Sequence, residues 1–349
     1  MSKRRVISGA VVAALTAGLA LVGFSTSGAE AASASSVTPL ADPDTLVAEN
    51  GRYVTYGTSL GKQSGRCNTT AKVVPYLVHG SGENPGMGEC VSGDAMPGGP
   101  GAWAQGAVWA PGVARHGDRY FMYYTASRKG SGQKCIGRAV SKSATGPFTD
   151  GKEWACPPAG RWAIDANPFV SGGKLYVAYR DDAVASGAET GLSVVRVGAS
   201  GFADWSTRRT LLLSTDIRWD TTGTSGGTHV IENPSMFRTG NGEWYVTYSG
   251  NNWDSPRYAT GIARCGTNPL PSKRCSPIGQ GVTRPYFGFR GAGDINPLKG
   301  LPANHRGPGG MDVFQTPSGD NRVVWHWWNG QRYVKTGDLK AAGSGFVVD

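Results

Sequence analysis

Three segments of the chain share one pattern, in which an acidic residue precedes a strand rich in aromatic side chains. They are ADPDTLVAENGRYVTYGTS, AIDANPFVSGGKLYVAYRD and VIENPSMFRTGNGEWYVTYSG, and they contain Asp42, Asp165 and Glu232. In each segment the acid lies beside or near a proline, and a turn containing Gly or Asn leads into the pattern Tyr-Val-x-Tyr. Repetition of one unit favours a radial architecture, in which each repeat directs a carboxylate toward a common centre.

The rest of the chain also has the pattern of an all-β protein. Short alternating runs of Val, Tyr, Phe and Trp are bounded by Gly, Asn, Asp and Pro, which predicts strands joined by turns. Examples of these runs are 52–58, 119–126, 174–180, 242–249 and 321–328. A sandwich and a propeller both fit this pattern, but repeats of roughly 50 residues favour a propeller.

Five repeat units are predicted, and they span about 42–64, 103–150, 163–197, 210–264 and 307–336. The Gly-, Pro- and Cys-rich stretch 65–101 and the irregular stretch 265–306 are expected to be ordered loops over one face. No second domain is expected. The fold prediction is therefore an all-β, single-domain five-bladed propeller over residues 38–349.

The first 31 residues are typical of a secretory signal peptide. A positive region at residues 3–5 precedes an apolar stretch at residues 6–24, and the small residues that follow predict cleavage near 31–34. No later apolar stretch approaches the roughly 20 residues that a membrane span needs. The mature protein is therefore expected to be secreted and extracellular, without membrane contact.

Six cysteines follow the leader, namely Cys67, Cys90, Cys135, Cys156, Cys265 and Cys275. An even number in an oxidising compartment predicts three disulfides, for which about fifteen pairings are possible. Pairing of sequence neighbours, 67–90, 135–156 and 265–275, is favoured because each bond would close a local loop within or beside one repeat. Metal binding is disfavoured, since the sequence has no C-x-x-C motif or compact Cys/His cluster.

The formal net charge of +10 falls to +8 when Lys3, Arg4, Arg5 and Glu30 leave with the leader. The positive residues are scattered and form no recognisable nucleic-acid-binding module, so no nucleic-acid partner is expected. The charge indicates solubility, with weak attraction to acidic cell-wall or plant polymers. The mature protein is expected to be a monomer.

Five motifs, taken in chain order, resemble one known family. ADPDTLVAENGRYVTYGTS resembles its opening blade, and VWAPGVARHGDRYFMYYTAS resembles its Trp-Ala-Pro blade. AIDANPFVSGGKLYVAY and VIENPSMFRTGNGEWYVTYSG are similar to the third and fourth blades, and GPGGMDVFQTPSGDNRVVWHWW resembles the last. Together they resemble glycoside hydrolase family 43, whose members are five-bladed β-propellers that act on arabinose- and xylose-containing polysaccharides. The resemblance covers most of the chain after the leader.

The resemblance implies a role for each acid. Asp42 is the expected general base, because the family's opening Asp-Pro supplies it, although Asp44 on the other side of Pro43 is a rival. Glu232 is the expected general acid, and Asp165 is expected to orient it and to raise its pKa by like-charge proximity. Inversion needs one carboxylate to activate water and one carboxylic acid to protonate the leaving oxygen. The prediction is an inverting hydrolase of arabinan or arabinoxylan, with that polysaccharide or its oligosaccharides as partner.

Two tryptophans are candidates for substrate binding. Trp109 lies in the Trp-Ala-Pro motif, and Trp253 follows the fourth aromatic strand. Aromatic rings stack on the faces of sugars, although packing within a blade is an equal alternative for Trp109. His326, among the tryptophans of the last repeat, is expected to be a structural histidine with satisfied hydrogen bonds.

Two departures from the family pattern affect the expected metal content and the cleft. Many members carry Gly-Pro-Gly-His in the last blade, with the His near a calcium or water network on the axis, whereas this chain has Gly310 there. Gly112 follows Trp-Ala-Pro, where Glu is frequent. No metal ligands and no cofactor are therefore expected, and a structural calcium is disfavoured.

Two alternatives remain open at this point. One is a propeller that binds carbohydrate without catalysis, since a fold does not fix a function. Such a protein would have no need of all three carboxylates. The other alternative keeps the chemistry and changes the sugar, to a bacterial D-arabinan or a galactan.

Overall fold

The computed structural model describes residues 38–349 except for 65–66, 83–85, 89, 221–228, 256 and 289–305. The predicted leader, residues 1–31, lies outside the described residues. Within the described ranges, no helix has both the length and the apolar character that crossing a membrane requires.

The described residues form twenty strands in five four-stranded antiparallel sheets, each with its strands in chain order. Blade I contains β1 (Asp44–Val47), β2 (Tyr53–Tyr56), β3 (Pro75–His79) and β4 (Gly93–Asp94). Blade II contains β5 (Ala104–His116), β6 (Arg119–Arg128), β7 (Lys134–Ser141) and β8 (Thr149–Ala155). Blade III contains β9 (Ala163–Ser171), β10 (Lys174–Asp181), β11 (Gly191–Val197) and β12 (Ala203–Leu213).

Blade IV contains β13 (Ile231–Arg238), β14 (Trp244–Gly250), β15 (Ala259–Gly266) and β16 (Ser276–Pro277). Blade V contains β17 (Arg306–Gln315), β18 (Asn321–Asn329), β19 (Gln331–Ala342) and β20 (Gly345–Val348). Two short 3-10 helices among the described residues, Asp182–Val184 and Ser214–Asp216, follow β10 and β12.

The first strands of the blades surround a common axis. β1 contacts β5, β5 contacts β9, β9 contacts β13, β13 contacts β17, and β17 contacts β1. The start of the described chain closes this ring against β19, because the Leu40 N–H donates to the Arg332 carbonyl at 3.1 Å and the Val334 N–H donates to the Thr38 carbonyl at 3.2 Å. The predicted all-β, five-bladed propeller is confirmed.

Packing between blades explains the Tyr-Val-x-Tyr pattern. A spacing of three residues places the two tyrosines on opposite faces of a strand. In β2, Tyr53 therefore packs toward blade V and Tyr56 toward blade II. In β10, Tyr176 packs toward blade IV and Tyr179 toward blade II. Each apolar cluster of the described core lies between two adjacent blades, so one repeat contributes to two interfaces.

All five blades extend beyond the predicted repeat units. In blade II, β8 ends at Ala155, past the predicted limit at residue 150. In blade III, β12 begins at Ala203, past the predicted limit at residue 197, and runs into the predicted fourth unit. The stretch 65–101 is predicted as a loop, but it contains β3 and β4, because the outer edge of β2 needs a partner and finds it in β3. The stretch 265–306 likewise contains β16, the fourth strand of blade IV. In blade V the fourth strand is β20, which lies beyond the predicted limit at residue 336.

The six cysteines form the predicted disulfides Cys67–Cys90, Cys135–Cys156 and Cys265–Cys275. The paired residues are 23, 21 and 10 positions apart, so each bond closes a short segment of the chain. The neighbour pairing is confirmed.

Candidate active site

The inner strands share one distorted position near the axis. It is occupied by Asp42, Ala110, Asp165, Asn233 and Gly310, one from each blade, with φ between 39° and 56°. This left-handed region strains residues other than glycine. Register shifts interrupt the strand pairing beside this position in blades II to V. The distortion changes the direction of the side chains where the inner strands enter the centre of the propeller.

The three acids do not all occupy equivalent positions. Asp42 and Asp165 occupy the distorted position itself, whereas Glu232 precedes it, at the level of Trp109 and Ile164. The left-handed conformation falls on Asn233, which tolerates it better than glutamate does. The sequence pattern therefore matches Glu232 with Asp42 and Asp165, although in the structure Glu232 lies one residue before the position that the two aspartates occupy.

A cavity of about 280 Å³ lies at the centre of the propeller. Its described lining consists of Asp42, Trp109, Trp162, Ile164, Asp165, Glu232, Asn233, Trp253 and Arg332. We call this cavity the cleft. It brings together all five residues predicted for the site, and it adds Trp162 and Arg332, which were not predicted.

Asp42 lies in an environment that favours the carboxylate. Its oxygens accept hydrogen bonds from Thr58 Oγ1 at 2.6 Å and from Arg332 Nη1 at 3.0 and 3.1 Å. Burial acts to raise the pKa of Asp42, but the charge of Arg332 and the Thr58 hydrogen bond help to outweigh it. The pKa of Asp42 therefore lies below the usual value for aspartate.

Glu232 is anchored through both oxygens. Arg180 Nη1 donates to Oε2 and Tyr258 Oη donates to Oε1, each at 3.1 Å. Arg180 also donates to Asp182 through two hydrogen bonds of 2.9 and 3.1 Å. Burial raises the pKa of Glu232, the charge of Arg180 opposes this rise, and the charge of Asp42 adds to it, so the pKa of Glu232 is raised overall.

Asp165 faces the same cavity and accepts the backbone N–H of Asn233 at 3.2 Å. Burial, followed by the charges of Glu232 and Asp42, raises the pKa of Asp165 well above its usual value. The sequence predicts that like charge acts mainly on Glu232. In the structure like charge also acts on Asp165, while Arg180 pairs with Glu232 directly and opposes the rise of its pKa.

Asp44 extends into the axis and not into the cleft. Its Oδ2 accepts the Val113 N–H at 2.8 Å, and its Oδ1 accepts from Asn167 Nδ2 at 3.2 Å. Asn167 Nδ2 also donates to Asp312 Oδ1 at 3.0 Å. The two acids that flank Pro43 therefore lie in different environments, Asp42 in the cleft and Asp44 in a buried axial network.

The carboxylate oxygens at the axis are already hydrogen-bonded within the protein. Calcium takes about six to eight oxygen ligands, whereas each carboxylate oxygen of Asp44 and Asp312 already accepts an N–H or O–H of the protein. The axial space of about 30 Å³ has room for roughly one water molecule. The family's histidine is replaced here by Gly310. A Cβ at this position would lie 2.9 Å from His326 Nδ1, so a side chain larger than that of glycine would displace His326.

His326 fills the space beside Gly310. Its ring stacks on Tyr258, with centroids 5.7 Å apart, and its Nδ1 accepts the backbone N–H of Asp42 at 3.1 Å. Burial lowers the pKa of His326 to about 3, so the ring is neutral and carries its proton on Nε2. That nitrogen has no hydrogen-bond partner among the described residues. The expectation that His326 is fully satisfied is therefore wrong.

Each tryptophan of the cleft is paired with a cation. The distances from the cation to the ring centroid are 3.6 Å for Lys134 and Trp109, 4.9 Å for Arg332 and Trp253, and 5.5 Å for Arg180 and Trp162. A cation over a ring face is attractive and restricts the orientation of the ring. Trp162 and Trp253 remain 39% and 46% exposed, so both offer ring surface to a ligand.

The residues that tune the acids escaped sequence reasoning. Arg180 directly follows the second Tyr-Val-x-Tyr, and a charged residue that continues an apolar strand is a usable signal. Tyr258 and Arg332 belong to no repeat pattern. They reach the acids only because the folded ring brings distant segments together.

The sequence matches the family model described as "Glycosyl hydrolases family 43" over residues 93–338. Two curated relatives, from Aspergillus flavus and Aspergillus oryzae, are both named "Probable arabinan endo-1,5-alpha-L-arabinosidase A". Each is 26% identical to this chain over 247 residues, which cover 67% of this chain and 70% of the relative.

Solved structures with a similar fold include a thermostable family-43 glycoside hydrolase, with a TM-score of 0.65 and 22% identity over 89% of this chain and 92% of that one. The endo-arabinase from Bacteroides thetaiotaomicron has a TM-score of 0.65 and 17% identity, over 88% of this chain and 96% of its own. At these identities the likeness shows the fold alone. The family model, in contrast, matches more than half of the sequence, and this chain therefore belongs to glycoside hydrolase family 43 and is a glycosidase.

Proposed function

We propose that this protein cleaves arabinose- or xylose-containing polysaccharide with inversion at the anomeric carbon, and that arabinan or arabinoxylan is the favoured substrate. The observation that carries the proposal is the opposed electrostatic setting of Asp42 and Glu232 in one cavity. Asp42 is kept ionised by its donors, while burial raises the pKa of Glu232. An ionised base and a protonated acid are the pair that inverting hydrolysis requires.

Asp42 is the general base in this mechanism. It takes a proton from a water molecule while the oxygen of that water forms a bond to the anomeric carbon. Arg332 and Thr58 fix the plane of the Asp42 carboxylate through three hydrogen bonds. Positioning of the base in this way reduces the reorganisation needed at the moment of attack.

Glu232 is the general acid. It gives its proton to the glycosidic oxygen as the bond from that oxygen to the anomeric carbon breaks, and the bonding electrons stay with the leaving oxygen. Arg180 and Tyr258 then stabilise the carboxylate that remains. Asp165 positions Glu232 and supplies a neighbouring acidic group. Exchange with solvent returns Asp42 and Glu232 to their starting protonation states.

Two further features support a glycan substrate. Trp162 and Trp253 present exposed rings in the cleft, where they can pack on the apolar faces of sugars. The names of the two Aspergillus relatives favour arabinan over other sugars. A propeller that only binds carbohydrate is the weaker candidate, because it would not need three buried acids in one cavity. Bacterial D-arabinan and galactan remain alternative substrates for the same chemistry.

We further propose that the protein acts outside the cell as a secreted monomer. The leader-like first 31 residues and the three disulfides support export to an oxidising compartment. The proposal includes no cofactor, no nucleic-acid partner and no membrane contact after the leader is removed.

A sugar-release screen tests the proposed function. The purified mature protein is incubated with arabinan, debranched arabinan, arabinoxylan, xylan, galactan and mycobacterial arabinogalactan, and Glu232→Gln serves as the blank. Release by the wild type alone would establish hydrolysis and identify the substrate class, and oligomers or monosaccharide would separate endo from exo action. No release from any polymer by the folded, disulfide-bonded protein would contradict the proposal and favour a binding propeller.

A further inference from the structure

A second cavity lies between blades II and III, next to the cleft. Its volume is about 400 Å³, and none of its described lining residues lines the cleft. Side chains alternate along β10, so Arg180 contacts Glu232 while the next residue, Asp181, lines the second cavity. We call this cavity the flank pocket and define it by Trp154, Tyr179, Asp181, Trp205 and Arg208.

Trp205 is an exposed ring that the cleft does not use. Its exposed fraction is 47%, and the two other tryptophans of comparable exposure among the described residues, Trp162 and Trp253, both line the cleft. Leaving an indole in water forgoes the favourable free energy of burying its apolar surface. Because the exposed ring of Trp205 forms part of the wall of a concave cavity, Trp205 is a candidate ligand contact.

Buried rings hold Trp205 in place. The centroid of its ring lies 5.3 Å from that of Trp154, with the two planes inclined at 49°. Trp154 is buried and packs edge-on against Tyr123 and Tyr179, at 5.2 and 5.5 Å. The exposed ring thus has a defined orientation before any ligand binds, which lowers the entropy cost of binding.

A bulge in β12 turns Trp205 out of the sheet. Val194 pairs with Arg209, and Arg196 pairs with Asp204. Between these two pairs β12 advances five residues while β11 advances two. Asp204 fixes this bulge, because its carboxylate accepts from Arg196 Nη2 and from Ser206 Oγ, each at 2.6 Å. Bulges of this kind redirect a side chain. The sheet is therefore built to present Trp205 to the cavity.

A paired charge lies at the polar end of the flank pocket. Asp181 is buried, and it accepts hydrogen bonds from Tyr179 Oη at 2.9 Å and from Arg208 Nη1 at 3.4 Å. Arg208 keeps 42% of its side chain exposed. Because the two charges are paired with each other, the pocket favours an uncharged ligand with hydroxyl groups over an anion.

We propose that the flank pocket binds an uncharged segment of a polysaccharide, away from the bond that is cleaved. The apolar face of one sugar ring packs on Trp205, and sugar hydroxyls accept hydrogen bonds from Arg208. Attachment at the flank pocket keeps the polymer near the cleft and raises its effective concentration there. The inference rests on the proposed function only for the kind of polysaccharide.

The test uses the mature protein with Glu232→Gln, so that polymer is bound without being cleaved. Binding to arabinan, debranched arabinan, arabinoxylan and xylan is measured by retardation in native gels that contain each polymer. The variants are Trp205→Ala, Trp205→Tyr and Arg208→Ala in that background. Val170→Ala and Arg119→Ala are matched controls, because both positions are exposed and line neither the flank pocket nor the cleft.

Trp205→Ala is expected to weaken binding of the retarding polymer about tenfold, because it removes the apolar contact with the sugar. Arg208→Ala is expected to weaken binding less, and Trp205→Tyr to retain most of it, while both controls match the parent. With Glu232 restored, Trp205→Ala should raise KM on the polymer and leave kcat/KM on a short oligosaccharide of the same sugar unchanged.

Equal retardation of Trp205→Ala and the parent would overturn the inference, and so would a parent that no polymer retards. An equal loss of activity on the polymer and on the short oligosaccharide would also overturn it, since that pattern indicates structural damage. Hydrolysis of the short oligosaccharide by the wild type is measured in parallel. It continues if only the flank-pocket inference fails, and it is absent if the proposed function fails.

Discussion

Arg332 and Arg180 give Asp42 and Glu232 opposite pKa shifts, because the two guanidinium groups are shared differently. Arg332 donates to both oxygens of Asp42. Arg180 gives two hydrogen bonds to Asp182 and one to Glu232. A cation already paired with one carboxylate favours the charged form of a second one less strongly. The pKa of Asp42 therefore falls while the pKa of Glu232 rises, in one buried cavity.

Replacing Arg332 by methionine should raise the pKa of Asp42, because burial then acts without the opposing charge. As the proposed base, Asp42 works in its ionised form, so activity should be lost as the pH falls through its pKa. The acid limb of the kcat/KM profile should therefore move to higher pH, by about one unit or more. Arg332→Lys keeps the positive charge and should move the limb less. An unchanged acid limb in Arg332→Met would show that this arginine does not control the base.

Among the strands, the packing of His326 explains why a glycine stands where the family often has histidine. Gly310 has φ 54°, and His326 occupies the space that a side chain at this position would enter. The His326 ring in turn accepts the backbone N–H of Asp42. The residue at position 310 is thus coupled, through the imidazole of His326, to the backbone of Asp42, the proposed base.

Gly310→Ala should destabilise the fold by about 2 kcal/mol, through the left-handed backbone and the forced movement of His326. It should also lower activity, because His326 contacts the backbone of Asp42. The matched control is Gly319→Ala in the same blade, where φ is 91° but no atom of the described residues lies within 4 Å of the new Cβ. The free energy of unfolding from urea titration measures the effect. Equal losses in the two variants would contradict the role given to His326.

The strand pattern shows which features the sequence was able to predict. Tyr-Val-x-Tyr encodes packing on both sides of the second strand in blades I, III and IV, and the aromatic runs 119–126 and 321–328 predict the other two blades. β3 has no such pattern and begins at a proline, so the sequence predicts a loop there. The acids were recognised by family resemblance, whereas Tyr258 and Arg332 act through contacts between blades. Contacts of this kind cannot be predicted from a local sequence pattern, because they form only when the five blades close into a propeller.

Across the whole molecule, the axis joins the five blades through buried polar groups. Asp312 accepts hydrogen bonds from Thr45, Ser235 and Asn167, which lie in three other blades. Asp44 of blade I adds the fifth blade, because it accepts the Val113 N–H of blade II. Burial raises the pKa of Asp312 to about 6. The native axis therefore binds a proton more strongly than the unfolded chain, whose aspartates have pKa values of about 3.9.

This difference predicts that the axis stabilises the fold more in mild acid than at neutral pH. Between the unfolded pKa and about 6 the native state holds more protons, so its stability falls as the pH rises through that window. The axial contribution should change by on the order of 2 kcal/mol. Denaturant titrations from pH 4 to pH 7 measure it, with Asp312→Asn expected to flatten the slope. The exposed Asp320→Asn in the same blade is the control, and an equal slope in Asp312→Asn and the wild type would contradict the assignment.

The central claim is that carboxylates from different blades cleave a glycosidic bond together, with Asp42 and not Asp44 as the base. The most direct measurement is kcat of purified Glu232→Gln, Asp42→Asn and Asp44→Asn on the best wild-type substrate, with circular dichroism to verify folding. Glu232→Gln and Asp42→Asn are predicted to lose about 10³-fold or more without unfolding, while Asp44→Asn retains turnover. Turnover of folded Glu232→Gln or Asp42→Asn within about tenfold of the wild type would contradict the account.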